Sequence, residues 1–214
     1  MRLLALAAIA SLGLAGPADA RVWTDPAGRL VFDAPATWVT TQERGAQPGE
    51  TFTYVISGNA NNECQFIAQP SPGTAGAAAD SVRRAGLEEA RFTAELWTRT
   101  LNSIGSVFPN NSAAFLSRSM ETDGFWPIQR AEIQSPERLV HAAIQLRPGF
   151  DLIALCMTYD GADPTDLYDR VIRSVGHPND SALRADAERL QAERDAVAAA
   201  PAQPEQPPPR RNRN

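Results

Sequence analysis

Lysine is absent from this chain: all 20 of its basic residues are arginine. With abundant alanine, that usage matches the coding bias of a high-GC bacterium. Histidine occurs twice, as His141 and His177, in no H-x-x-x-H, H-E-x-x-H or Cys/His spacing, so no zinc motif is present and no metal is expected. Phosphate-cradling glycine loops and the G-x-S-x-G elbow are missing as well, and no cofactor is expected. No basic stripe interrupts a chain of net charge −5, which argues against nucleic acid as a partner. Nor is there a bilayer-length apolar run; the longest covers residues 3–14.

That run follows Arg2 and precedes the small-x-small site Ala18-Asp19-Ala20, the form of a secretory leader cut after Ala20. No cysteine lies beside the cut, so lipid anchoring there is not expected. The location read from this is the periplasm, with the extracellular space as second choice, and no transmembrane span after leader removal. Two cysteines in an exported chain read as a disulfide, Cys64–Cys156. Their separation of 92 residues makes the bridge worth about 4–5 kcal/mol in the chain-entropy model.

Residues 150–176 organise the rest. Leu152, Ile153, Ala154, Leu155, Cys156 and Met157 form an unbroken apolar run, as in a strand covered on both faces. A turn at Asp160-Gly161 leads to Asp163-Pro164, read as the cap and first turn of a helix. Leu167, Val171, Ile172 and Val175 give that helix its apolar face, and Gly176 its stop.

Upstream, β-type runs at 22–23 and 29–32 flank a turn, giving a hairpin. Pro35 ends its second strand, Trp38 starts another, and residues 42–50 read as a loop. Strands are expected at 51–57 and 63–69. Leu87, Ala90, Ala94, Trp97, Leu101 and Ile104 step by three and four, predicting one long helix stopped by Gly105, with its first turns separate or bent because of Gly86. Strands at 113–120, 126–134 and 138–147, joined by short turns, make an antiparallel meander into the strand at 150–159. Past Gly176, residues 181–200 form an exposed or loosely docked helix, and the Pro/Arg-rich 201–214 form a disordered tail.

The expected fold class is therefore α+β, an antiparallel sheet flanked by helices. Its divisions are a signal peptide (1–20), a sandwich domain (21–177), a helical extension (178–200) and the tail (201–214). Phe32-x-x-Pro35-x-x-Trp38 and Val171-Ile172-Arg173-Ser174-Val175, with this element order, resemble the PsbP/Mog1-like α/β/α sandwich family over residues 22–177. The resemblance implies a mostly non-catalytic accessory or binding protein.

Candidate chemistry is sparse. Asp160, Asp163, Asp166 and Asp169 lack the D-x-D-x-D-G pattern of a calcium loop and read as turn, cap and helix-dipole residues. Trp126, beside the turn at 122–124, is a candidate exposed aromatic that grips a sugar or peptide, together with Phe125. No catalytic residue is assigned. The sequence reading is a non-catalytic exported module binding a protein or envelope component. Its alternative is a hydrolase whose site is assembled from distant residues around His141.

Overall fold

The computed structural model describes residues 20–25, 27–44, 51–56, 60–104, 107–108, 110 and 112–199, with backbone alone at 42–44 and 51–56. The leader (apart from Ala20), the helix stop expected at Gly105 and the 201–214 tail lie outside the described residues.

Strands β1 (Ala20–Thr24) and β2 (Val31–Pro35) form a separate antiparallel hairpin. The main sheet holds β3 (Val39–Arg44), β4 (Thr51–Ile56), β5 (Asn62–Pro70), β6 (Ala114–Glu121), β7 (Ile128–Gln134), β8 (Leu139–Arg147) and β9 (Phe150–Thr158). All its pairings are antiparallel, in the order β3-β4-β5-β9-β8-β7-β6. The apolar run from Leu152 to Met157 thus lies in the middle strand, which is why both of its faces are apolar. Cys64 and Cys156 stand opposite each other on β5 and β9, and they form the disulfide. Residues 42–44 belong to β3 rather than to a loop. Their ladder to β4 (Gln42↔Thr53, Glu43↔Phe52, Arg44↔Thr51) overrides a polar composition that an edge strand tolerates.

Alternation along the strands divides the core in two. On one face Cys64, Phe66, Ala68, Leu152, Ala154 and Cys156 meet the hairpin and α3 (Thr165–Ser174). On the other, Ile67, Val140, Ile144, Ile153, Leu155 and Met157 meet Trp97 and Leu101 of α2 (Ala94–Asn102). The arrangement is an α/β/α sandwich.

The long helix expected from the apolar stepping is two helices. α1 (Ala79–Leu87) ends at Glu88, a single 3-10 turn follows at Glu89–Arg91, and α2 starts anew with Thr93 as its cap. The Thr93 hydroxyl accepts the Leu96 N–H at 3.2 Å, satisfying a first-turn donor that a continuous helix would have bonded internally. Gly86 has a packing reason to be glycine. An added Cβ would stand 3.0 Å from Pro127 Cγ, and the Gly86 carbonyl accepts Gln129 Nε2–H at 2.8 Å. Gly86→Ala is therefore expected to lower the melting temperature, although alanine brings a helix about 1 kcal/mol. A higher melting temperature would show that the proline ring yields.

α3 begins at Thr165 with Pro164 at its N-cap and no side-chain cap. The Asp163 carboxylate does not cap it; it reaches across to β8 and β9. Gly176 is not a left-handed stop either. It bridges Val31 of β2, and an added Cβ would lie 2.9 Å from Asp180 Oδ2.

The terminal helix α4 (Asp180–Ala199) is docked. Ala187 is buried and Leu183 half-buried against Ala79 and Trp126. Arg194 pairs with Asp80 of α1. Its N-terminus is pinned by Arg147, whose Nε and Nη2 donate to Asp180 at 2.6 and 2.9 Å. Val197, near the end of the helix, is exposed.

Candidate binding surface

Trp126 is an interior residue, not an exposed one. It is 7% exposed, the Arg147 guanidinium lies 4.4 Å from its ring centre, and Phe125 meets it edge-on at 5.2 Å. Phe125 remains half-exposed on a hollow of about 360 Å³ between α1 and α4. Arg83 and Arg184 lie 5.1 and 5.4 Å from its ring centre. Both aromatics are thus engaged by arginines of this chain.

His141 sits on β8 beside α3. Its Nε2 bonds Asp163 Oδ2, while Asp163 Oδ1 accepts the Thr158 hydroxyl at 2.9 Å. A Ser–His–carboxylate site needs a serine hydroxyl on the ring. Among the described residues the ring's hydrogen-bond partner is Asp163, and the Ser117 hydroxyl donates to Glu132 instead at 3.0 Å. Asp163 and Asp169 are thus structural partners, the latter accepting Arg130 Nη1–H at 3.0 Å. No group of three or more metal-ligating side chains occurs among the described residues. His177 stacks on Phe150 at 5.9 Å, and burial pushes its imidazole below the usual range against the pull of Asp180.

Beneath the His141 pair, Tyr168 is fully buried, and its single hydroxyl proton has Met157 O (2.6 Å) and Asn62 Oδ1 (2.9 Å) as acceptors within reach, with the Thr158 hydroxyl at 2.7 Å. Burial, with the Asp163 and Glu63 charges, outweighs the Thr158 bond and raises its phenol to about 12. Burial and Glu63 also hold Tyr159 at about 12. An unfolded tyrosine loses its proton near pH 10. The unfolded state therefore binds fewer protons above that pH, and stability falls from about pH 10 toward about 12. A melting temperature that is level to pH 10 and then drops is expected, with Tyr168→Phe showing a shallower alkaline drop. An unchanged slope in that variant would contradict the assignment.

Beyond α3 the sheet face is an open polar shelf. Arg130, 9% exposed, lies between Glu121 and Asp169, and Arg173 adds a second cation to Glu121. Burial alone would raise the Glu121 carboxyl, but the two arginines hold it below the usual range. This network closes on itself and ties α3 to β6 and β7.

A different surface lies between the hairpin and the β3 edge. The hairpin register sets Trp23 opposite Phe32. Trp23 rests on Phe32 at 5.2 Å, and Phe32 stacks on Phe66 at 4.0 Å, so the indole is anchored in the core. A turn closed by the Trp38 N–H on Pro35 O, at 2.9 Å, brings Trp38 back beside the hairpin. Between them is a crevice of about 330 Å³ lined by Arg21, Trp23, Pro35, Trp38, Val39 and Thr40. Both indoles are half-exposed, and Val39, which also lines it, is 63% exposed. Among the described residues neither indole N–H has a hydrogen-bond partner and Arg21 has no ion-pair partner. Sequence reasoning placed Trp38 at a strand end but did not join it to Trp23. The signal was Pro35, whose turn folds the chain back.

Fold and surface together define a small antiparallel α/β/α sandwich with an aromatic crevice under its N-terminal hairpin. Among solved structures, the chain is similar to the cyanobacterial PsbP (CyanoP) of Synechocystis sp. PCC 6803. The two are 17% identical, with 79% of this chain and 98% of that one covered and a TM-score of 0.47. It is also similar to a protein of Bacteroides thetaiotaomicron VPI-5482 at 14% identity, covering 73% of this chain and 47% of that one, with a TM-score of 0.38. No family model and no curated protein matches the sequence.

Proposed function

We propose that this is an exported, non-catalytic accessory module that binds a protein or cell-envelope component at the Trp23–Trp38 crevice. The observation that carries the reading is the crevice: two core-backed indoles whose N–H groups have no partner among the described residues, beside the exposed Val39. Apolar and aromatic side chains gathered at one surface mark an interaction site rather than a folding need. Export is supported by the leader pattern at 1–20 and by a disulfide, which persists in oxidising compartments. No helix among the described residues is long and apolar enough to cross a membrane. The working unit in this reading is 21–199, with α4 docked on α1.

The test is co-sedimentation of the purified protein with envelope fragments of its own source cell. The native protein is expected in the pellet, and Trp23→Ala/Trp38→Ala in the supernatant. Equal pelleting of the two, with circular dichroism showing both folded, would remove the crevice from the function.

A further inference from the structure

We infer that the crevice takes an acidic saccharide, a sugar unit carrying a carboxylate; this rests on the reading of the crevice as the binding surface. Its chemistry is one-sided. Trp23 and Trp38, whose N–H groups have no partner among the described residues, line it with Arg21 and Thr40, so the side chains there offer three donors that accept nothing and one hydroxyl that can do either. Among the described residues no carboxylate lines the crevice, although the chain as a whole carries a net charge of −5. A ligand that fits is rich in acceptors, carries negative charge and offers an apolar face to an indole. A pyranose meets all three conditions: its C–H face lies on the ring, its hydroxyls and ring oxygen accept, and its carboxylate meets Arg21. A peptide instead brings one N–H per residue, and the side chains here supply hardly any acceptor for them. A nucleic acid needs cations spaced along its phosphates, and only one arginine lines the crevice.

The volume of about 330 Å³ falls at the small end of ligand sites, about 300–1,000 Å³, suiting one or two sugar rings. The Trp23–Phe32–Phe66 stack keeps the platform rigid, so little side-chain ordering accompanies binding. Leader removal after Ala20 would place the new α-ammonium on Arg21 itself, adding a second cation at the mouth of the crevice.

The experiment is calorimetric titration of the full-length gene product, as the cell processes it, with trigalacturonate. Its carboxyl-reduced counterpart trigalactose, hexaglutamate and a short oligothymidylate are titrated in parallel. Trigalacturonate is expected to bind and trigalactose to bind about tenfold more weakly, one charged hydrogen bond being worth that much. Arg21→Gln, an exposed substitution that leaves the fold alone, is expected to shrink the difference between the two sugars, the α-ammonium keeping the remainder. Trp38→Phe keeps a ring but loses the N–H, and is expected to weaken both sugars. Equal binding of both sugars by the native protein, or tighter binding of hexaglutamate or oligothymidylate, would overturn the acidic-saccharide assignment. If no sugar binds while the double tryptophan variant still loses envelope binding, the ligand class is wrong and the crevice reading stands. If that variant keeps envelope binding, the crevice reading itself fails.

Discussion

Asp180→Ala is expected to destabilise the protein by about 3 kcal/mol, at the lower end of what breaking a buried ion pair costs. The Arg147 side chain is 2% exposed and its Asp180 partner 27%. Burial pulls the Arg147 guanidinium below its usual range, and the Asp180 carboxylate opposes that shift. Remove the carboxylate and a guanidinium is left under cover with Gln145 Oε1, Leu146 O and the Trp126 ring, none of which carries a charge. The His177 N–H loses its acceptor as well. At about 2–4 °C per kcal/mol for a chain of this size, the melting temperature falls by about 6–12 °C. Arg147→Met in the Asp180→Ala background should recover part of the loss, because an apolar side chain needs no counter-ion. No recovery would mean that the pair matters through geometry instead of charge. Because Asp180 begins α4, the single variant should also expose that helix to proteases before the rest of the chain.

Removing the disulfide is expected to have a larger effect. Cys64→Ala/Cys156→Ala frees a 92-residue loop in the unfolded chain, a loss of about 4–5 kcal/mol in the entropy model and about 2–5 in practice. Both sulfurs are fully buried beneath the hairpin and α3. A reductant reaches them only after those elements lift from the central strands. Reduction by dithiothreitol in native buffer should therefore be slow and accelerate steeply with low denaturant, as followed by thiol alkylation and mass spectrometry. Fast reduction in native buffer would show that the hairpin opens without unfolding the sheet.

Short-range patterns made most of the sheet legible. The run from Leu152 to Met157 announced a doubly covered strand, and β9 is the middle of the main sheet. The disulfide was legible for another reason, an even cysteine count behind a leader pattern, and partner positions on β5 and β9 set the two side chains together. The break between α1 and α2 was not legible. Apolar spacing continues unbroken across Thr93, and position 96 is leucine rather than the Glu or Gln of a capping box. The choice between an exposed and a docked α4 was not legible either, because it depends on Arg147 meeting Asp180 across 33 residues. The same arginine closes over Trp126, which is why a tryptophan beside a turn proved interior. The crevice needed two separate events, the hairpin folding over the sheet and the Pro35 turn. Only the second has a local signature.

The most direct test follows the four indole N–H resonances of ¹⁵N-labelled protein as solubilised envelope glycan is added, each assigned by a single Trp→Phe substitution. The account predicts that Trp23 and Trp38 shift together and saturate, while the buried indoles of Trp97 and Trp126 stay in place. Shifts at Trp126 with Trp23 and Trp38 unmoved would contradict it and return the site to the α1–α4 hollow.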